Sequence, residues 1–228
     1  MSALGRGAPP QARPAWSAAG HRWLLHPAVK PLAFLAALGP LASLVWGGYA
    51  DALGANPAET LIRSTGDWTL RLLCLTLAIT PLRQWTGWHA LARLRRLLGL
   101  FTFFYGVLHF LCFAWLDMGF DPSAIMRDIP KRPFILAGTT ALLLMLPLAA
   151  TSFNAAIRWL GAKRWQALHR AVYATALLAV LHFFWMRAGK NDFAEVGIYA
   201  AIVTLLLGWR LARRLPWGRE DRGEARPR

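Results

Sequence analysis

Six apolar runs fall at about 30–50, 68–82, 97–116, 134–151, 167–186 and 193–211. An α-helix needs ~20 residues to cross a ~30 Å hydrocarbon core, and all but the somewhat short second run come near that length. Backbone in lipid must satisfy its own hydrogen bonds, which commits runs of this kind to a helical bundle. Hydrophobic residues make up 56% of the chain and charged residues 16%, gathered in blocks instead of interleaved, which excludes an ordinary soluble globule. The fold predicted is an all-α integral membrane bundle of six helices over residues 23–215. A disordered tail at 1–22 precedes it, and a basic tail at 216–228 follows. Tryptophans such as Trp46, Trp68, Trp115 and Trp209 stand near block ends, as an interfacial aromatic belt requires.

The net charge of +15 raises the question of nucleic acid, and the distribution of charge answers it. Sorting the connections alternately puts nineteen Lys/Arg and three acids on one side of the membrane, against six Lys/Arg and eight acids on the other. The positive-inside rule then places both termini in the cytoplasm, and no nucleic-acid partner is needed to explain the charge. Cys74 and Cys112 lie inside apolar blocks and read as small core residues. The sequence shows no signal peptide, no internal repeat, no P-loop and no G-x-G-x-x-G after a strand. A hydride cannot be taken from NAD(P)H through a domain of this chain.

Ionisable residues within membrane runs are the first functional candidates, and three histidines qualify: His109, His169 and His182. With the alternating topology, the runs bearing His109 and His182 both leave the cytoplasm. At 1.5 Å per residue the two histidines sit at one depth, roughly 18–21 Å in. Two imidazoles at one level on different helices can ligate one haem iron from both faces, a low-spin arrangement suited to electron transfer. His169 lies roughly 20 Å nearer the cytoplasm, where a second haem would sit. At its level the other run offers Arg95 and Arg96 instead of histidine. These arginines serve first as topology determinants; as cofactor partners they would meet a propionate, the iron, a flavin or a quinone. Thirteen residues of straight helix turn about 220°, so His169 and His182 share a face only if a bend or bulge separates them. Arg71, just inside the second run, either snorkels to the interface or pairs with a propionate, and the reading favours the propionate. His21, His26 and His89 lie outside the runs and are read as solvated.

The stretches WTLRLLCLTLAITPLR, RRLLGLFTFFYGVLHFLCF and RWQALHRAVYATALLAVLHFFW carry a resemblance. Over residues 22–217 the chain resembles the haem-binding membrane subunits (MsrQ) of the periplasmic protein-methionine-sulfoxide reductase system, within the ferric-reductase-like transmembrane group. The resemblance implies a bacterial inner-membrane b-type cytochrome with one or two haems and with His109, His169 and His182 as ligands. It also implies FMN as an associated cofactor, and a quinol or a cytoplasmic flavin reductase as donor. The acceptor implied is a periplasmic molybdopterin-dependent methionine sulfoxide reductase, which performs the bond chemistry that this chain does not. The larger ferric reductases carry four histidines; this chain has Arg95 and Arg96 at the fourth position. The alternative expectation is a ferric-reductase-like carrier with a metal or small-molecule acceptor.

Overall fold

The structure is a computed structural model, and its described residues are 22–189 and 191–213. The expected tails, 1–22 and 216–228, lie outside these residues except for Arg22. Among the described residues the regular structure is helical. It comprises α1 (Val29–Tyr49), α2 (Pro57–Thr86), α3 (Ala92–Cys112), α4 (Pro122–Lys131) and α5 (Pro133–Ala150). The short α6 (Asn154–Leu160) and α7 (Ala162–His169) follow, then α8 (Ala171–Ala188) and α9 (Ala194–Ala212).

Five described segments are long and apolar enough to cross a membrane: α1, the stretch His89–Asp117 around α3, α5, the stretch Ala162–Ala188 through α7 and α8, and α9. The expected run at 68–82 is part of α2, which is 30 residues long but carries Asp67 and Arg71. Gly66 and Asp67, just before the expected run, lie inside this helix. The cause is a strong start signal one stretch earlier. Asn56 caps the helix by accepting from the Glu59 amide at 3.1 Å, and Pro57 follows at the first helical position. Asp121 and Pro122 repeat the signal, so the connection between the expected runs 97–116 and 134–151 contains α4. Gly87 ends α2 in the left-handed region, at φ 73°.

Helix α2 is the centre of the packing. Leu70, Leu73, Cys74 and Leu77 bury against Ala176 and Phe183 of α8 and Val196 and Val203 of α9. On its other side Leu72 meets Ala37 of α1 and Phe101 and Tyr105 of α3. The closest helix pairs are α2 with α3 and α5 with α8; α3 also meets α5, and α2 meets α8. These four form a ring, with α3 and α8 on one diagonal, while α1 and α9 lie outside it. Packed helices stand 8–10 Å apart, so a diagonal of such a ring is roughly 11–14 Å, room for side chains or a planar group.

Proline inside a helix deletes one amide donor and strains the ladder around it. In α1, beside the buried Pro40, the Tyr105 hydroxyl inserts between Leu41 and Ala37. It accepts from the Leu41 amide at 3.0 Å and donates to the Ala37 carbonyl at 2.8 Å, fully buried, which joins α1 to α3. At the other end of the bundle, Arg187 closes the α8–α9 connection. Its side chain is 8% exposed and pairs with Asp192 at 2.6 Å and Glu195 at 2.7 Å.

Candidate cofactor site within the helix ring

His109 of α3 and His182 of α8 meet on the diagonal of the ring. Their ring centres are 5.9 Å apart and their planes cross at 81°. His109 Nδ1 is 2.8 Å from the Ile62 carbonyl of α2, and His182 Nδ1 is 2.6 Å from the Phe134 carbonyl of α5. An Nδ1–H that donates to a main-chain carbonyl leaves Nε2 as the nitrogen with a free lone pair. Both imidazoles are thus held in the tautomer of a metal ligand.

The spacing fits an ion shared between them. Metal–imidazole bonds are ~2.0–2.1 Å and the ligating nitrogen lies about 1 Å from its ring centre, which puts the two centres about 6 Å apart. Among the described residues no three His, Cys, Asp or Glu gather to hold a bare metal ion. Two imidazoles alone satisfy a porphyrin iron, whose other ligands come from the macrocycle. The donor set therefore fits haem and does not make a self-sufficient zinc-type site.

His169 lies elsewhere. The helix is interrupted just after it, at Arg170 between α7 and α8. Its Nδ1 is 3.1 Å from the Trp165 carbonyl of its own helix, and its ring stacks on the Trp165 indole at 3.8 Å. The Trp165 indole in turn donates to the Thr151 carbonyl at the end of α5 at 2.9 Å. His169 Nε2 is shut off from solvent without a hydrogen-bond partner.

That residue borders a cavity of about 1010 Å³ at the end of the ring opposite the histidine pair. Arg95, Arg96, Lys163, Arg170, Arg210 and Arg213 line it, together with apolar groups such as Phe103 and Leu148, and no carboxylate does. The chemistry suits a large, planar and anionic occupant. The two arginines anticipated opposite His169 do share its cavity, and Arg96 also donates to Asn154 at 2.7 Å. Lys163, Arg170, Arg210 and Arg213 had registered in the sequence only as topology charges.

Arg71 is directed to α9. Its Nε donates to the Tyr199 hydroxyl at 3.3 Å, and its guanidinium lies 4.9 Å over the Trp68 ring. The sequence reasoning missed two glycines, Gly66 and Gly138, which lie against the paired imidazoles. A glycine inside a helix that pays for its flexibility was the available signal.

The ferric reductase-like transmembrane component family matches residues 65–180, which hold most of the ring with His109 and His169 and end two residues before His182. A protein-methionine-sulfoxide reductase heme-binding subunit MsrQ from Polaromonas naphthalenivorans is 64% identical over 197 residues, covering 86% of this chain and 90% of that one. The proteins of the same name from Ralstonia nicotianae and Bordetella pertussis are each 56% identical. They cover 82% and 87% of this chain, and 89% and 94% of their own lengths. No solved structure matches. A histidine pair on the diagonal of a helix ring, a family match over that ring and near full-length similarity lead to one assignment: the chain belongs to the ferric-reductase-like transmembrane family, as a member of its MsrQ branch.

Proposed function

We propose that this protein is the haem-binding membrane subunit of a protein-methionine-sulfoxide reductase system in the bacterial inner membrane. It spans the membrane six times, with α1, α2, α3, α5, α8 and α9, and both termini are cytoplasmic. The observation that carries the reading is the His109–His182 pair, whose ring centres are 5.9 Å apart on two helices and whose Nδ1 atoms both meet main-chain carbonyls. Haem b bound there supplies a one-electron store that changes oxidation state without making or breaking bonds. The surrounding residues hold both imidazoles in one tautomer through the Ile62 and Phe134 carbonyls.

The cationic cavity is the donor-side site. Arg95, Arg96 and their neighbours offer the charge that haem propionates or the FMN phosphate require, and His169 offers an unpartnered nitrogen. The electrons originate from quinol or a cytoplasmic flavin donor. They leave for a periplasmic, molybdopterin-containing methionine sulfoxide reductase that docks on the 117–132 and 187–192 segments and repairs oxidised proteins.

The test is a reduced-minus-oxidised spectrum with haem quantitation on the wild type and on His109→Ala, His182→Ala and His169→Ala. The expected result is a b-type spectrum lost with either of the first two variants, while His169→Ala affects only what the cavity holds. A folded wild type without haem, made with ample haem supply, would refute the reading. Co-purification of the periplasmic reductase separates it from a carrier that reduces metal ions or small molecules.

A further inference from the structure

The two imidazoles are held by the same device on two separate helix pairs. In an α-helix each carbonyl accepts from the amide four residues later, so the Ile62 carbonyl belongs to Gly66 and the Phe134 carbonyl to Gly138. These are the carbonyls that the Nδ1 atoms of His109 and His182 reach. The chain separations match as well, at 47 and 48 residues. A side chain at either glycine would stand in the way. A Cβ on Gly66 would lie 3.1 Å from both Nδ1 and Cε1 of His109. One on Gly138 would lie 2.7 Å from Nδ1 and 3.0 Å from Cε1 of His182. The obstacle in each case includes Nδ1 itself, the atom bonded to the carbonyl, so the imidazole cannot swing away without breaking that bond.

We propose that Gly66 and Gly138 are the positioning residues of the histidine pair: each bares a helix carbonyl so that one imidazole can dock on it through Nδ1 and present Nε2 to the metal. The α2–α3 and α5–α8 hairpins are then equivalent half-sites, each contributing a glycine, a carbonyl and a histidine. The equivalence escaped the sequence because it rests on so few positions. The inference rests on the haem reading above and goes beyond it by giving the pair its fixed tautomer and orientation. Hydrogen bonding at Nδ1 raises the electron donation of the ligating nitrogen, and so favours the oxidised metal.

The experiment compares purified wild type, Gly66→Ala, Gly138→Ala and Gly197→Ala, whose added Cβ meets nothing within 4 Å. Three properties are read on each: haem affinity, midpoint potential, and the low-spin electron paramagnetic resonance signal, which reports the angle between imidazole planes. Gly138→Ala, with the closer approach, is expected to lose about 10- to 100-fold in haem affinity, the range typical of outer-shell ligand partners. Gly66→Ala is expected to lose less. In both, the haem that remains has a higher midpoint potential and an altered signal, while Gly197→Ala matches the wild type. Wild-type affinity, potential and signal in both Gly66→Ala and Gly138→Ala would overturn the proposal. If Gly138→Ala does not accumulate as folded protein, Gly66→Ala decides: a shifted potential upholds the proposal and an unchanged one overturns it. Haem that survives both His109→Ala and His182→Ala would bring down the haem reading itself, an outcome distinct from silent glycine variants.

Discussion

The guanidinium of Arg210 on α9 donates to the carbonyl of Leu77 on α2, the acceptor that Pro81 deprives of its helical amide four residues on. A sequence defect in the central helix is thereby turned into a tertiary link, and the same arginine lines the cationic cavity. Arg210→Met is expected to leave that carbonyl buried and unpaired, at a cost of about 1–3 kcal/mol. Pro81→Ala restores the missing amide, so the loss from Arg210→Met should be smaller in that background. Thermal unfolding in detergent of the two single variants and the double variant checks the coupling; purely additive losses would mean that the contact carries no energy.

Tyr105→Phe keeps the ring and removes only the hydroxyl inserted into α1. The Leu41 amide and the Ala37 carbonyl then lose the bridge that links them, for an expected cost of about 1–3 kcal/mol. Because the bridge joins α1 to α3, hydrogen exchange should quicken in α1 around Pro40 and stay slow in α5 and α8. Uniform loss of protection across the bundle would contradict this placement.

The cavity should bind FMN through charge. Neutralising two partly exposed cations with Arg95→Gln and Arg96→Gln together is expected to raise the FMN Kd by about 2- to 30-fold, at 0.2–1 kcal/mol for each such contact. Added salt should weaken binding to the wild type more than to the variant. Titration of flavin fluorescence at two ionic strengths measures both effects, and equal affinities at low salt would remove these arginines from the site.

The start of α4 should respond to acid. Hydrogen bonds from the Ser123 hydroxyl and from the Ala124 and Ser123 amides hold the Asp121 carboxyl below the usual carboxylate range. A lowered folded-state pKa stabilises the folded form above the ordinary value of about 3.9, and that contribution disappears as pH falls through the lowered one. Amide exchange at 123–131 should therefore be pH-independent in its protection from neutral down to about pH 4 and lose protection below it. Asp121→Ala should show the weaker protection at every pH, with no acid step.

The sequence alone determined the class of fold, because apolar runs of membrane length leave the backbone no alternative to helices. It also singled out His109 and His182 as candidates at one level, because an imidazole in lipid needs a partner and because equal depth follows from helical rise. Depth, however, is one coordinate. That His109 and His182 lie on a diagonal, 5.9 Å apart, depends on how four helices close into a ring. The same closure gathers Lys163, Arg170 and Arg210 beside Arg95 and Arg96 around one cavity. Gly66 falls outside the apolar runs because the helix begins well before them, at the Asn56–Pro57 cap, and its use is invisible without the ring that faces it. A glycine acts through the atom it lacks, and only the tertiary structure decides which neighbour takes that space.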